Sequence, residues 1–192
     1  VTSLAVYDEG TVAHTACLPI AGSHLTHDLA RVLRCPWESA EAVKCQHGAA
    51  FANDEMLTPT IEIEAFGTQT RKEVSLRHVC EILQARSEEI LEMVMIELKR
   101  AGYLDRIAAG LVLTGGSSNL RGLAEVAEAR LGIPARVGKP VRYMGLADII
   151  GSPAYATSIG LVQHALAGRE RAPEPAMAGG GMHFEAPVGG FF

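Results

Sequence analysis

The stretch Gly110-Leu-Val-Leu-Thr-Gly-Gly-Ser-Ser-Asn-Leu120 constrains the fold of this chain more than any other. Leu111 to Thr114 have strand character, Gly115-Gly116 follows at once, and a helical pattern opens at Leu120. A strand that delivers the backbone to a glycine pair and then to a helix makes a slot from which nothing protrudes. Backbone N–H groups can point out of such a slot toward a flat ring or a phosphate. The same junction is also an ordinary tight turn in α/β proteins, so by itself it speaks for architecture more than for a ligand. Two phosphate signatures are excluded. No Lys-Ser or Lys-Thr follows as in a P-loop, and the spacing is not G-x-G-x-x-G with an acidic residue about twenty positions on.

The elements around this junction read as a mixed α/β chain. Thr2–Tyr7 and Thr11–Leu18 are β-type runs joined by Asp8-Glu9-Gly10, a hairpin with glycine where φ must be positive. Ser23 caps a helix carrying Leu25, Leu29, Val32 and Leu33 at helical spacing, and Cys35-Pro36 ends it. A shorter helix runs from Ser39 as N-cap to Gly48, followed by an alternating strand, Ile61–Phe66, expected at a sheet edge. Thr70 and Glu73 form a capping box for a long helix whose buried stripe is Val79, Ile82, Leu83, Ile90, Leu91, Val94 and Leu98, with Gly102 as its stop. After the glycine pair, Leu120 to Leu131 is amphipathic and closed by Gly132. Ala135–Val137 returns as a strand, and Ser152-Pro153 opens a last helix from Tyr155 to about Leu166. From Gly168 the composition turns to Pro, Gly, Ala and charge, so 169–192 is expected to be a disordered linker or tail.

Composition limits the function classes. A net charge of −5 and the absence of any dense Lys/Arg run speak against nucleic acid as a partner. Cys17, Cys35, Cys45 and Cys80 form no C-x-x-C pair and no zinc spacing, which reads as reduced thiols in a cytosolic protein. No secretory segment and no apolar run long enough to span a bilayer is visible. His24, His27 and Asp28 lie within one helical turn but lack the H-E-x-x-H spacing and a further ligand, so no metal is assigned to them. No G-x-S-x-G elbow or Cys/His signature provides a catalytic nucleophile.

Two charged features remain open on the residues alone. Glu41 and Lys44 project from the same side of their helix, either as a solvated ion pair or as ligand contacts. Arg86 falls between Leu83 and Ile90, where the apolar stripe wants a hydrophobic residue. Either its stem snorkels along the groove or its guanidinium docks a carboxylate.

Taken in order, the blocks SLAVYDEG, SAEAVKCQHG, GLVLTGGSSNLRGLAEVAE and VGKPVRYMGLADIIGSPAYATSIGL resemble the second half of an actin-like ATPase, specifically the FtsA family of bacterial cell-division proteins. The resemblance runs from Val1 to about Leu166. It implies subdomains 2A and 2B of an actin-like, ribonuclease-H-like fold. Residues 1–34 and 105–168 would form the nucleotide-proximal 2A part, and 35–104 the 2B insertion. It further implies that Gly115 and Gly116 lie against adenine with Ser117 just beyond. Glu41 and Lys44 would match the family's A-E-x-x-K helix and reach ribose and base, and Thr2 would end a phosphate hairpin whose glycines precede Val1. The cofactor would be ATP, with Mg in the full-length protein. The start at Val1, already in strand pattern, is expected to mark a fragment that is not catalytic by itself.

The same resemblance implies self-association into filaments, recruitment of later divisome proteins, and capture of the C-terminal tail of FtsZ, with Arg86 at the basic position near that tail. It also implies a peripheral place on the inner membrane at the division site, through an amphipathic helix absent from this sequence. The alternative is another ATPase of the superfamily, a sugar kinase or a chaperone-type protein, for which Gly-Gly-Ser is equally natural.

Overall fold

A computed structural model describes residues 1–53, 59–66, 71–141 and 150–171, with the backbone path alone for 168–171. The chain opens with the hairpin β1 (Thr2–Asp8) and β2 (Thr11–Leu18), antiparallel, with Leu4 opposite Ala16 and Val6 opposite His14. Its two-residue turn has positive φ at both Glu9 (50°) and Gly10 (81°), the mirror-image geometry whose twist matches that of the flanking strands. Leu4 and Val6 point inward while Ser3, Ala5 and Tyr7 face out, as a half-buried strand requires.

Two helices follow, α1 (Gly22–Leu33) and α2 (Trp37–His47). Helix α1 begins one residue before Ser23: Ala21 is its N-cap, and its backbone N–H donates to Nδ1 of His24 at 3.2 Å. Likewise Pro36, not Ser39, precedes α2. Proline at that boundary fixes the φ from which the helix starts three residues earlier than a serine cap suggests.

The main departure from the sequence expectation lies ahead of the long helix. Arg71–Ser75 is a strand, β4, antiparallel to β3 (Thr60–Glu64), and α3 (Leu76–Arg100) starts only after it, with Ser75 as its N-cap residue. Glu73 sits opposite Glu62 in the ladder and so cannot close a capping box; Thr70 lies outside the described residues. Val74 is buried beside Ile63, and this non-local pairing overrides the local helix signal.

Helix α3 is about 37 Å long at 1.5 Å per residue and joins two cores. Its first half gives Val79 and Leu83 to a cluster with Leu25, Leu29, Leu33, Cys35, Ala40, Val43, Ile63 and Val74. Its second half gives Leu91, Val94 and Leu98 to a cluster with Leu4, Val6, Leu18, Ile20, Ala127 and Leu131. Complete burial of a side chain such as Leu29 or Leu83 contributes about 1.5–3 kcal/mol. The buried position between Leu83 and Leu91 is Ser87, not Arg86.

The glycine junction is embedded in a parallel unit. β5 (Leu111–Leu113) pairs with β6 (Ala135–Val137), and α4 (Leu123–Leu131) lies between them in the chain. A 3₁₀ turn, Gly116–Asn119, intervenes between glycine pair and helix, so α4 begins three residues after Leu120. Gly122 fixes that later start. Its φ is 75°, and a Cβ there would lie 2.1 Å from the Phe51 ring. A second 3₁₀ turn, Pro153–Tyr155, is capped by the Ser152 hydroxyl and leads into α5 (Ala156–Arg171), which passes the expected end at Leu166. Of the tail expected over 169–192, residues 169–171 form the last turn of α5, and 172–192 lie outside the described residues.

Candidate functional site

The start of α1, one side of α2 and the turn after the glycine pair enclose a cleft of about 620 Å³. Glu41, Lys44 and Cys45 line it from α2, Gly22 and Ser23 from α1, and Gly116, Ser117, Asn119 and Arg121 from the opposite wall. Four of the residues singled out by sequence, Glu41, Lys44, Gly116 and Ser117, therefore meet in one place. Some seventy positions separate the two pairs in the chain.

Close backbone approach shapes the walls. A Cβ on Gly22 would lie 2.1 Å from Oγ of Ser117, so the glycine lets α1 and the turn come together at one end. A Cβ on Gly48 would lie 2.3 Å from the Lys44 carbonyl oxygen and 2.8 Å from Leu83, which accounts for glycine at the end of α2. Arg121 ties the walls together. Its guanidinium donates to the carbonyls of Gly48 (3.3 Å) and His47 (3.0 Å), and the Ala50 N–H donates to the Arg121 carbonyl at 2.8 Å. Carbonyls at a helix C-terminus are natural partners for a cation.

Gly116 differs from these. It lies in a right-handed 3₁₀ turn, so no positive φ requires glycine, and a Cβ there would meet none of the described residues within 4 Å. Neither its backbone nor packing among the described residues demands its bare surface, which is what a flat ligand resting on the turn needs. Gly115 does need to be glycine, with φ of 88°. Its N–H is spent on the Pro153 carbonyl at 3.0 Å, and its own carbonyl accepts from Ser118.

The charged wall is tightly bonded. Nζ of Lys44 donates to Oε2 of Glu41 at 2.7 Å and to Oγ1 of Thr26 at 2.8 Å, and Thr26 donates to the same carboxylate oxygen. Burial alone pushes the Glu41 carboxyl up. The hydrogen bonds from Lys44 and Thr26 outweigh it and hold the carboxyl below its ordinary range. Burial, then the neighbouring Glu41 carboxylate, pushes the Cys45 thiol up, so it is a poor nucleophile. Thr26, Cys45 and Arg121 were not singled out from the sequence. Thr26 sits among the apolar positions of α1, and only its complete burial exposes its role.

Three predicted residues do not line the cleft: Gly115, which shapes the turn beside it, Thr2 and Arg86. The Thr2 hydroxyl donates to the Ile20 carbonyl at 2.6 Å and does not line the cleft. Arg86 grips Asp28 with two bonds, Nε to Oδ2 at 2.5 Å and Nη2 to Oδ1 at 3.0 Å, and also pairs with Glu89. Of the set His24, His27 and Asp28, the first caps α1 and the last holds Arg86. Among the described residues no group of three His, Cys, Asp or Glu side chains is placed to hold a metal. All four cysteines are free. No helix among the described residues is long and apolar enough to cross a membrane.

The architecture that carries this cleft is the actin-like fold. MreB5 of Spiroplasma citri, solved bound to ADP, superposes with a TM-score of 0.65 at 18% identity, covering 88% of this chain and 52% of that one. The MamK double helical filament gives 0.54 at 16% identity over 78% of this chain and 46% of MamK. The chain itself belongs to the FtsA family: the family model described as cell division protein FtsA matches residues 1–160. FtsA of Pseudomonas aeruginosa is 38% identical over 165 residues, 86% of this chain and 40% of its own length. FtsA of Escherichia coli K12 is 32% identical over 168 residues, 84% of this chain and 40% of its own. The chain thus spans about 40% of the length of these curated relatives. Family membership favours the cell-division reading over the sugar-kinase and chaperone alternative.

Proposed function

We propose that the cleft between α2 and the Gly115-Gly116 turn receives the adenosine of ATP, and that the chain is the adenosine-binding part of a cell-division ATPase. The observation that carries this is the meeting of Glu41 and Lys44 with Gly116 and Ser117 around one cleft, with none of the described residues packed on the bare face of Gly116. In this reading the base rests on Gly116, Ser117 borders it, Glu41 and Lys44 form the sugar side, and Gly115 shapes the turn. Mg and the phosphates belong to the full-length protein. Thr2 approaches them only if its bond to Ile20 is exchanged. The division into a nucleotide-proximal part, 1–34 with 105–168, and an insertion, 35–104, goes with this reading.

The wider role follows from the family. We propose self-association into actin-like filaments, in keeping with the filament formed by the fold neighbour MamK, together with recruitment of later divisome proteins. We also propose capture of the acidic FtsZ tail near Arg86 and peripheral attachment to the inner membrane at the division site through an amphipathic helix outside this sequence. ATP then acts mainly as a conformational ligand that biases assembly.

The nucleotide site is tested by calorimetric titration with the ATP analogue AMPPNP, comparing the complete natural protein with its Gly116→Val variant. A side chain at 116 begins in open space, its Cβ meeting none of the described residues, so affinity should fall about tenfold or more while the melting temperature stays put. Equal affinity in the two proteins refutes the placement.

A further inference from the structure

Helix α2 supplies Glu41, Lys44, Cys45 and Gln46 to the cleft, yet little in its own sequence holds it there. It has 11 residues, no side-chain cap at its N-terminus, and only Ala40 and Val43 as buried positions. A helix this short is marginal by itself in water, so its place depends on what it is tied to. Its C-terminal end is tied to the opposite wall. Past Gly48 the chain runs beside 121–122: Ala49 forms a parallel bridge with Arg121, the Ala50 N–H donates to the Arg121 carbonyl at 2.8 Å, and Gly122 leaves room for the Phe51 ring. The Arg121 side chain then reaches the end of the helix itself, with Nε donating to the Gly48 carbonyl at 3.3 Å and Nη2 to the His47 carbonyl at 3.0 Å. These are carbonyls at the negative end of the helix dipole, and a planar fork serves two of them at once where an ammonium serves one.

We infer that Arg121 is a positioning residue that sets the spacing between the two walls of the cleft, and that it acts on the ligand through α2. The inference rests on the reading of the cleft as a nucleoside site and adds to it a residue that the reading leaves out. Arg121 is placed to do this because the walls belong to different cores. Ala40 and Val43 fix α2 to the first core, whereas the turn at Gly116 leads into α4, whose Ala127 and Leu131 lie in the second. A small shift of one core against the other therefore changes the width of the cleft, and the guanidinium fork lies across that seam. Width matters to a flat ligand held on both faces, because a gap of about 0.5–1 Å forfeits roughly a quarter to a half of each atomic contact. Leu120 also packs against the first core and the backbone bridge at Ala49 stays in any side-chain variant, so removing the fork loosens the seam without opening the fold.

Two variants of the complete protein, read in two ways, decide the matter. Arg121→Met keeps the apolar stem and removes the fork; Arg121→Lys returns a cation to the helix end without the second bond. In Arg121→Met, amide hydrogen exchange over 40–50 should quicken by about three- to tenfold while the β1–β2 hairpin stays as in the natural protein. Calorimetric titration should show AMPPNP bound about three- to tenfold more weakly. Arg121→Lys should fall between the other two proteins in both readouts. Weaker binding with unchanged exchange would mean that Arg121 touches the ligand directly, and faster exchange with unchanged binding would mean that the spacing is irrelevant; either overturns the inference and leaves the nucleotide site standing. Exchange that quickens in the hairpin as well marks a general loss of stability and overturns it too, as does a lysine variant no better than methionine. If the complete natural protein binds no AMPPNP, the nucleotide reading falls. The hold of Arg121 on α2 is then decided by exchange alone, and unchanged rates over 40–50 in Arg121→Met refute it.

Discussion

Two charged clusters hang from α1, and they differ in what they have left to give. Thr26 on α1 binds Glu41 and Lys44 of α2 beside an open cleft, and two positions on, Asp28 binds Arg86 of α3. In the first, one carboxylate oxygen has almost no partner. In the second, the guanidinium fork is closed bidentately on Asp28 and its remaining side pairs with Glu89. Both are cation–carboxylate sets on helices and both tie elements together. In the proposed reading, spare bonding capacity rather than charge separates the ligand-facing cluster from the one that braces two helices.

The largest effect that can break this contrast comes from Lys44. Lys44→Met keeps the apolar stem but leaves Thr26 without its donor and Glu41 without its cation, so the carboxylate is no longer pinned. AMPPNP affinity should drop by about ten- to a hundredfold, measured by calorimetry on folded protein. Retained affinity would mean that the cleft does not depend on the trio, and the two clusters would then be alike.

A smaller effect is expected from releasing Arg86, with its removal as the control. An acidic peptide can use this guanidinium only by displacing Asp28 and Glu89, so freeing it should help. Asp28→Asn is expected to strengthen capture of a synthetic acidic FtsZ tail peptide by about three- to tenfold, and Arg86→Glu to abolish it, both read by fluorescence anisotropy. If Asp28→Asn weakens capture, the brace itself forms the docking surface. If neither the natural chain nor Arg86→Glu binds, the adaptor reading of this face is wrong.

These contrasts also show what the sequence can and cannot disclose. The hairpin around Gly10, the strand leading to Gly115 and the stop at Gly132 are written in local rules: alternation, a positive φ, a glycine after the last helical turn. The nearness of Glu41 and Lys44 to Gly116 has no local signature and enters only through family resemblance. Strand β4 was illegible because Thr-x-x-Glu ahead of an apolar run reads as a helix start, while its true partner lies in 60–64. Arg86 was ambiguous because its two carboxylates come from Asp28, far back in the chain, and from Glu89, which the apolar stripe ignores. Thr26 was silent because a hydroxyl among leucines carries no sign of what it touches.

The smallest expected effect is the response to acid, and it measures how firmly Lys44 and Thr26 hold Glu41. The folded-state pKa of Glu41 is depressed, because the donors Lys44 and Thr26 overcome the upward push of burial. A depressed carboxyl contributes stability that is fully present above its unfolded value, about 4.3, and is lost as pH falls through the folded value. Glu97 adds to the same window through Arg100 first and His14 second, so the natural chain should melt progressively lower below about pH 4.5. The Arg86 guanidinium is raised by its bond to Asp28 and stays charged throughout, so this fall does not come from its cation. Because Glu41 is partly solvated, its share is under about 1 kcal/mol, or roughly 1–3 °C in a chain of this size. Differential scanning calorimetry from about pH 7 to pH 3.5 should therefore show a slightly shallower acid slope for Glu41→Gln than for the natural chain. Parallel slopes would mean that Lys44 and Thr26 do not hold the carboxylate in solution, and the cleft would lose the one feature that separates it from the brace at Arg86.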